Sequence, residues 1–170
     1  MSNQAEPTAD KQREPARSEP RIEQKGAFLV AGLWYEGKNE RGEIPAMWDQ
    51  FIQRAAELVT DPSHLVAYGV ARALPNFEEG GAFEYLAGVE VASLDNLPPG
   101  MVGWGIPALT YAVLPAHDVP DIGPVSNYFY REWLPQSQEF EMEEGLMIEY
   151  YPETYSRDLI IYLYFPVKRK

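Results

Sequence analysis

Glu149 sits in the run Leu146-Met147-Ile148-Glu149-Tyr150-Tyr151, a carboxylate among apolar and aromatic neighbours. In an extended strand successive side chains alternate between faces, which puts Met147, Glu149 and Tyr151 on one side and Leu146, Ile148 and Tyr150 on the other. A charge in the middle of such a strand is either solvated at a sheet edge or buried at an energetic cost. If it is buried, desolvation raises its pKa, and a bound cation restores the charged form. Rings are the second resource, because aromatic residues make up 13% of the chain, a high share that must be housed somewhere. Each well-placed ring attracts a cation by roughly 0.5–2 kcal/mol, and ring faces also stack on flat molecules without demanding one hydrogen-bond pattern. The candidates are Trp48, Tyr68, Phe83 and Tyr85 in the first half and Trp104, Tyr111, Trp133 and Tyr164 in the second. Taken singly, each ring is better explained by core packing, and the group is where pocket members are expected.

Other chemistries are scarce. The chain has no cysteine, which removes disulfides, thiolate nucleophiles and cysteine-ligated zinc. His64 and His117 are too far apart to form a metal motif and read as loop or strand-end residues; haem ligation finds no other support. No cofactor is expected. Lys and Arg number 14 against 26 Asp and Glu, a net charge of −12 that repels phosphate backbones, so direct nucleic-acid binding is not expected. The same charge concentrates cations near the surface and also serves solubility. No apolar run is long enough for a signal peptide or a bilayer span, so the expected location is cytoplasmic, without a membrane partner. Nothing in the sequence specifies an oligomeric state.

The elements that would position these residues form two similar series. At 170 residues the chain fits one ordinary domain. Residues 1–18 are polar, charged and interrupted by proline, and read as a disordered tail. Residues 19–170 read as the folded unit. An apolar stretch around Phe28, Leu29, Val30 and Leu33 predicts a strand, and Met47, Phe51, Ile52, Ala55 and Leu58 predict an amphipathic helix. Two strands follow, LVAYGVARAL and FEYLAGVEVAS, joined by the loop PNFEEGGA. The second half repeats the order: MVGWGIPALTYAVLPAHD as a strand region, PVSNYFYREWLPQS as a helix stopped by Pro135, then LMIEYYPE and LIIYLYFPV as strands. The acidic cluster Glu139–Glu144 reads as a solvated loop. Offsetting the halves by about 82 residues pairs Leu29 with Tyr111, Phe51 with Trp133 and Tyr68 with Tyr150; the order of elements carries this repeat more than identity does. The expected fold is α+β: tandem strand-helix-strand-strand modules, about 19–95 and 96–170, with a ligand cleft between antiparallel sheets and helices.

The run GLWYEGKNERGEIPAMWDQF resembles the opening of GyrI-like (AraC-type effector-binding) domains, where a first strand leads through an acidic, glycine-containing loop into a helix with a tryptophan near its start. YGVAR with FEYLAGVEV, IPALTYAVLPAHD, and YFYREWLPQS followed by IEYYPETYSRDLIIYLYFPV resemble the later strands and helix of that family, covering residues from about Glu19 to Lys170. The resemblance implies a duplicated α+β fold with a cleft that binds drug-like effectors. It also implies that Glu149 corresponds to the pocket glutamate of drug-binding members and Tyr164 to a pocket tyrosine that follows it. Regulators of the family carry a DNA-binding region ahead of this domain, and the short tail here predicts a free-standing member.

Three functions remain open on these grounds. The first is binding of cationic or aromatic amphipathic molecules, for sequestration or sensing. The second is hydrolysis of cyclopropane-containing DNA-alkylating compounds, as in some GyrI-like proteins, with Glu149 as general base. The third is docking onto a separate regulator or onto gyrase.

Overall fold

In the computed structural model, residues 17–74 and 80–170 are described; the expected tail and most of the PNFEEGGA loop fall outside them. The strand expected around Phe28 is preceded by a second, mostly polar one, and the strand region of the second half divides in two. Gly26 and Ala27 separate β1 (Arg21–Lys25) from β2 (Phe28–Gly37), and Pro107 and Ala108 separate β5 (Val102–Ile106) from β6 (Leu109–His117). Proline cannot donate to a strand ladder, so the second break falls where the sequence marks it.

The first module continues through α1 (Glu43–Arg54), β3 (Ala67–Ala73) and β4 (Phe83–Val91). The second continues through α2 (Ile122–Tyr128), α3 (Leu134–Gln136), β7 (Phe140–Met142), β8 (Leu146–Tyr151), α4 (Tyr155–Asp158) and β9 (Ile160–Arg169). Two expectations are corrected. Pro135 does not stop the helix, because residues Phe129–Trp133 widen into a π turn and the coil runs on to Gln136; such widening accommodates a ring without an N–H. The acidic cluster is not wholly loop either. Phe140 is buried against Trp133 and anchors β7 to β9, a strand signal masked by the surrounding glutamates.

All strands join one sheet in the order β1-β6-β9-β8-β3-β4-β2-β5, with β7 also on β9. The halves meet where β3 pairs antiparallel with β8, Tyr68 directly opposite Tyr150. β1 lies beside β6 at one end of the order and β5 beside β2 at the other. Yet β1 runs into β2, and β5 into β6, through two-residue links that reach at most ~11 Å. The two ends of the sheet must therefore come together, and the sheet rolls up. Its inner face holds one core built from both modules, including Phe28, Val30, Val70, Leu86, Val113 and Ile148.

The outer face carries the helices. Met47 and Phe51 of α1, with Ala55 in the 3-10 turn that follows it, pack on Tyr85, Ala87 and Val89, while Val125 and Phe129 pack on Leu114, Ile161, Leu163 and Phe165. Between the helices, over β3 and β8, no helix among the described residues covers the sheet. Ile52, expected on the core stripe of α1, is instead 56% exposed. Among the described residues no helix is long and apolar enough to cross a membrane.

Phe51 and Ile52 are sequence neighbours with opposite environments. Phe51→Ala should lower unfolding stability by about 3–5 kcal/mol, whereas Ile52→Ala should stay within about 0.5 kcal/mol. Urea denaturation of the two variants side by side reads the difference.

Candidate functional site

The uncovered strip has an unusual floor. Toward the outside, β3 presents Ala67, Gly69 and Ala71, the smallest residues available, and β8 presents Met147, Glu149 and Tyr151. Small side chains on one strand beside large ones on its partner leave a cleft of about 770 Å³. Its walls come from both modules. A second stripe of α1, Ile44, Trp48 and Ile52, forms one wall; Val119, Ile122 and Tyr155 form the other. Helical spacing explains why α1 serves both purposes, since positions four apart share a face.

Glu149 lies at the base of this cleft, only 8% exposed. Its Oε1 accepts hydrogen bonds from the Tyr85 hydroxyl at 2.8 Å and the Tyr151 hydroxyl at 2.9 Å. Tyr85 in turn accepts from the Trp48 indole N–H at 2.9 Å. Among the described residues no cation pairs with Glu149. Burial therefore pushes its carboxyl above the usual range, and the two phenols only partly offset this by favouring the charged form. Burial and the adjacent carboxylate likewise push the Tyr85 phenol well up, so it stays a donor.

Gly69 makes the arrangement possible. It stands opposite Glu149 in the ladder, and a Cβ there would lie 2.0 Å from the Tyr85 hydroxyl and 2.9 Å from Glu149 Oε1. The Tyr85 ring reaches the carboxylate through space that only glycine leaves open.

Rings enclose the carboxylate. Trp48 and Tyr151 have centroids 5.1 Å apart, Tyr151 and Tyr155 meet edge to face at 5.1 Å, and Phe83 lies on the same strand face as Tyr85. The Tyr155 hydroxyl donates to Asp118 at 2.7 Å, which fixes it to the second module's wall. Among the described residues, the carboxylates lining the cleft are Glu149, Asp49 and Glu153, and no lysine, arginine or histidine lines it.

Four of the nine candidates thus share the cleft: Glu149, Tyr85, Trp48 and Phe83. Tyr164 and Tyr68 lie on the inner face, beside Arg21, Glu23, Lys25 and Tyr150, around a separate cavity of about 330 Å³. Trp104 packs at the inner core with the Arg72 guanidinium 3.9 Å from its ring centre. Tyr111 is fully buried there, its hydroxyl without a partner and its pKa pushed up to about 12 by desolvation. Trp133 stacks on Phe129 beside α2 and donates to Glu19, away from the cleft. Strand alternation separates these rings from Glu149: residues 162 and 164 of β9 point inward, as do residues 148 and 150 of β8. Ile44 and Tyr155 carry no site expectation from the sequence, and Ile52 reads there as a core residue. For Ile44 and Ile52, the signal was an apolar stripe on α1 wider than its core face needs.

Comparison with known proteins identifies the family and agrees with the fold. The family described as Cass2, integron-associated effector binding protein, matches residues 21–167. The transcriptional regulator BrlR of Pseudomonas aeruginosa is 32% identical over 136 residues, 79% of this chain and 48% of that protein. The chain thus spans about half the length of this curated relative. Among solved structures, an integron cassette protein from the mobile metagenome of Vibrio cholerae aligns with a TM-score of 0.63 at 17% identity, covering 89% of this chain and 97% of that one. SAV2435, solved with tetraphenylphosphonium bound, aligns with a TM-score of 0.62 at 17% identity, covering 89% and 94%. EcmrR, solved in complex with DNA, gives 0.62 at 12% identity, covering 89% of this chain and 58% of EcmrR. At these identities the structural likeness speaks for the fold alone.

Two outcomes follow from the site's geometry. Gly69→Ala should break the Tyr85–Glu149 hydrogen bond and cost about 1–3 kcal/mol through overpacking, measurable as a lowered urea midpoint. Because the folded pKa of Glu149 is raised, the free protein should lose stability as pH climbs from the ordinary glutamate range through that raised value. Glu149→Gln should remove this dependence and be the more stable protein at neutral pH, with the two converging in acid; urea midpoints across pH test it.

Proposed function

The chain belongs to the family of integron-associated effector-binding proteins, and from that premise we propose that its cleft binds amphipathic aromatic cations, as a sequestering or sensing module. The observation that carries this reading is Glu149, a buried carboxylate with two phenol donors and, among the described residues, no fixed cation, at the base of an aromatic cleft that no described basic side chain lines. A cation entering the cleft supplies the missing charge and returns the carboxyl to its ionised form, recovering interaction energy that a neutral ligand leaves unused. The faces of Trp48, Tyr85 and Tyr151 add attraction without fixing one ligand shape. That combination suits a chemically varied set of flat or bulky cations. SAV2435, of the same fold, was solved with such a cation.

Tetraphenylphosphonium and the neutral triphenylphosphine oxide, similar in size, separate the contributions of charge and shape. Titration calorimetry should show Glu149→Gln weakening the cation by at least about tenfold, a difference of 1.4 kcal/mol, with much less effect on the oxide. Affinity for the cation should also fall as pH drops through the raised pKa of Glu149. Equal losses for both ligands would remove the charge mechanism.

A further inference from the structure

The two oxygens of the Glu149 carboxylate are not alike. Oε1 accepts from the Tyr85 hydroxyl at 2.8 Å and from the Tyr151 hydroxyl at 2.9 Å, whereas Oε2 accepts from none of the described residues. A carboxylate oxygen offers about two lone-pair positions, so the two phenols fill Oε1. Oε2 is also not sealed away. Among the described residues, the Tyr111 hydroxyl is the one polar side-chain atom both shut off from solvent and without a partner. Oε2, unpartnered as well, therefore keeps accessible surface although the residue is more than nine-tenths buried, and the space Glu149 lines is the cleft.

The donors around it are already spent. Trp48 gives its indole N–H to Tyr85, Tyr85 and Tyr151 give their hydroxyls to Oε1, and Tyr155 gives its hydroxyl to Asp118. These are all the described rings of the cleft that carry an N–H or O–H. A ligand bringing an acceptor atom to the base thus meets no free aromatic donor, while a ligand bringing an N–H meets Oε2. Hydrogen bonds between charged partners are roughly twice as strong as neutral ones, and a poorly hydrated site strengthens them further.

We propose that Glu149 Oε2 accepts a single hydrogen bond from the ligand, so that the cleft selects protonated amines carrying one N–H over quaternary cations of the same shape. The inference rests on the reading of the cleft as a cation site and narrows its ligand class. Charge does not make this distinction, because tertiary and quaternary ammonium carry the same charge; the free oxygen does. One open oxygen admits one donor. Amidinium and guanidinium groups present paired N–H donors that match both oxygens of a carboxylate, and here the second oxygen is taken. The rest of the ligand is held by ring faces, Trp48 from the first module and Tyr151 from the second, which tolerate varied aromatic shapes.

Three naphthalene monocations test this by titration calorimetry at neutral pH: naphthylmethyl(dimethyl)ammonium, its N-methylated trimethylammonium counterpart, and naphthamidinium. The tertiary ammonium should bind about tenfold more tightly than the quaternary one. In Glu149→Gln the phenols retain the carbonyl oxygen and the amide N–H group stands where Oε2 was. Both ammonium ligands should then weaken, and their ratio should fall to one or below. Tyr151→Phe opens a position on Oε1, so naphthamidinium should gain about fivefold relative to the tertiary ammonium. A ratio near one in the parent protein, or a tenfold ratio that survives Glu149→Gln, overturns the acceptor role of Oε2. An amidinium that gains nothing in Tyr151→Phe overturns the limit to one donor. If Glu149→Gln weakens neither ammonium ligand, the cation reading of the cleft fails, an outcome distinct from equal weakening of both, which removes the N–H preference alone.

Discussion

A carboxylate taken out of water must be neutralised, protonated or held by donors, and the surroundings of Glu149 supply only the last. Two phenols converge on one of its oxygens, and an indole N–H supports one of those phenols. This chain of donors dictates much of the local structure. It requires Tyr85 to lie over β3, which requires a glycine at position 69, and it sets the indole of Trp48 facing the cleft while Phe51, three residues on, enters the core. The donors are neutral, so the site keeps an uncompensated negative charge, or the proton that replaces it. The protein tolerates that cost because the rolled sheet beneath is independently well packed.

The scaffold is nearly two-fold symmetric and the cleft is not. Strands β3 and β8 cross the axis at Tyr68 and Tyr150, and the inner face is aromatic on both. On the outer face alanine and glycine lie beside methionine, glutamate and tyrosine. A symmetric framework thus provides rigidity, and the difference between two adjacent strands provides both the space and the chemistry. The same division appears in α1, whose Met47 and Phe51, continued by Ala55 just past its end, hold the helix down and whose Ile44-Trp48-Ile52 stripe is left for the cleft.

Much of this was legible in the sequence. Alternation alone assigned Met147, Glu149 and Tyr151 to one face, and an offset of 82 residues brought Tyr68 and Tyr150 together, which are direct partners in the sheet. What could not be read was which aromatic rings share a side with Glu149. Facing depends on how strands from distant parts of the chain are registered, and so Tyr164 and Tyr68, plausible by type, lie on the inner face. The break at Gly26 was hidden because Arg21–Lys25 is mostly polar and carries no strong strand signal of its own, so the reading centred on the apolar residues from Phe28 onward. The exchange of β1 and β5 between modules was hidden for a deeper reason: it is a long-range pairing with no local signature. β7 escaped notice because charge density around Phe140 outweighed a short alternation.

That exchange has a consequence for how the chain is made. Arg21–Lys25 leaves the ribosome early but finds its partner only when Leu109–Val113 has followed, and Phe28–Gly32 waits similarly for Val102–Ile106. Neither half can complete its own sheet from its own residues. Pairings so distant in sequence carry a large loop-closure cost before they are rewarded, so the first module must remain a partly open assembly during synthesis, and the cleft comes into being only with the final strands. The two short links that roll the sheet thus also make the binding site a late and all-or-none product of folding.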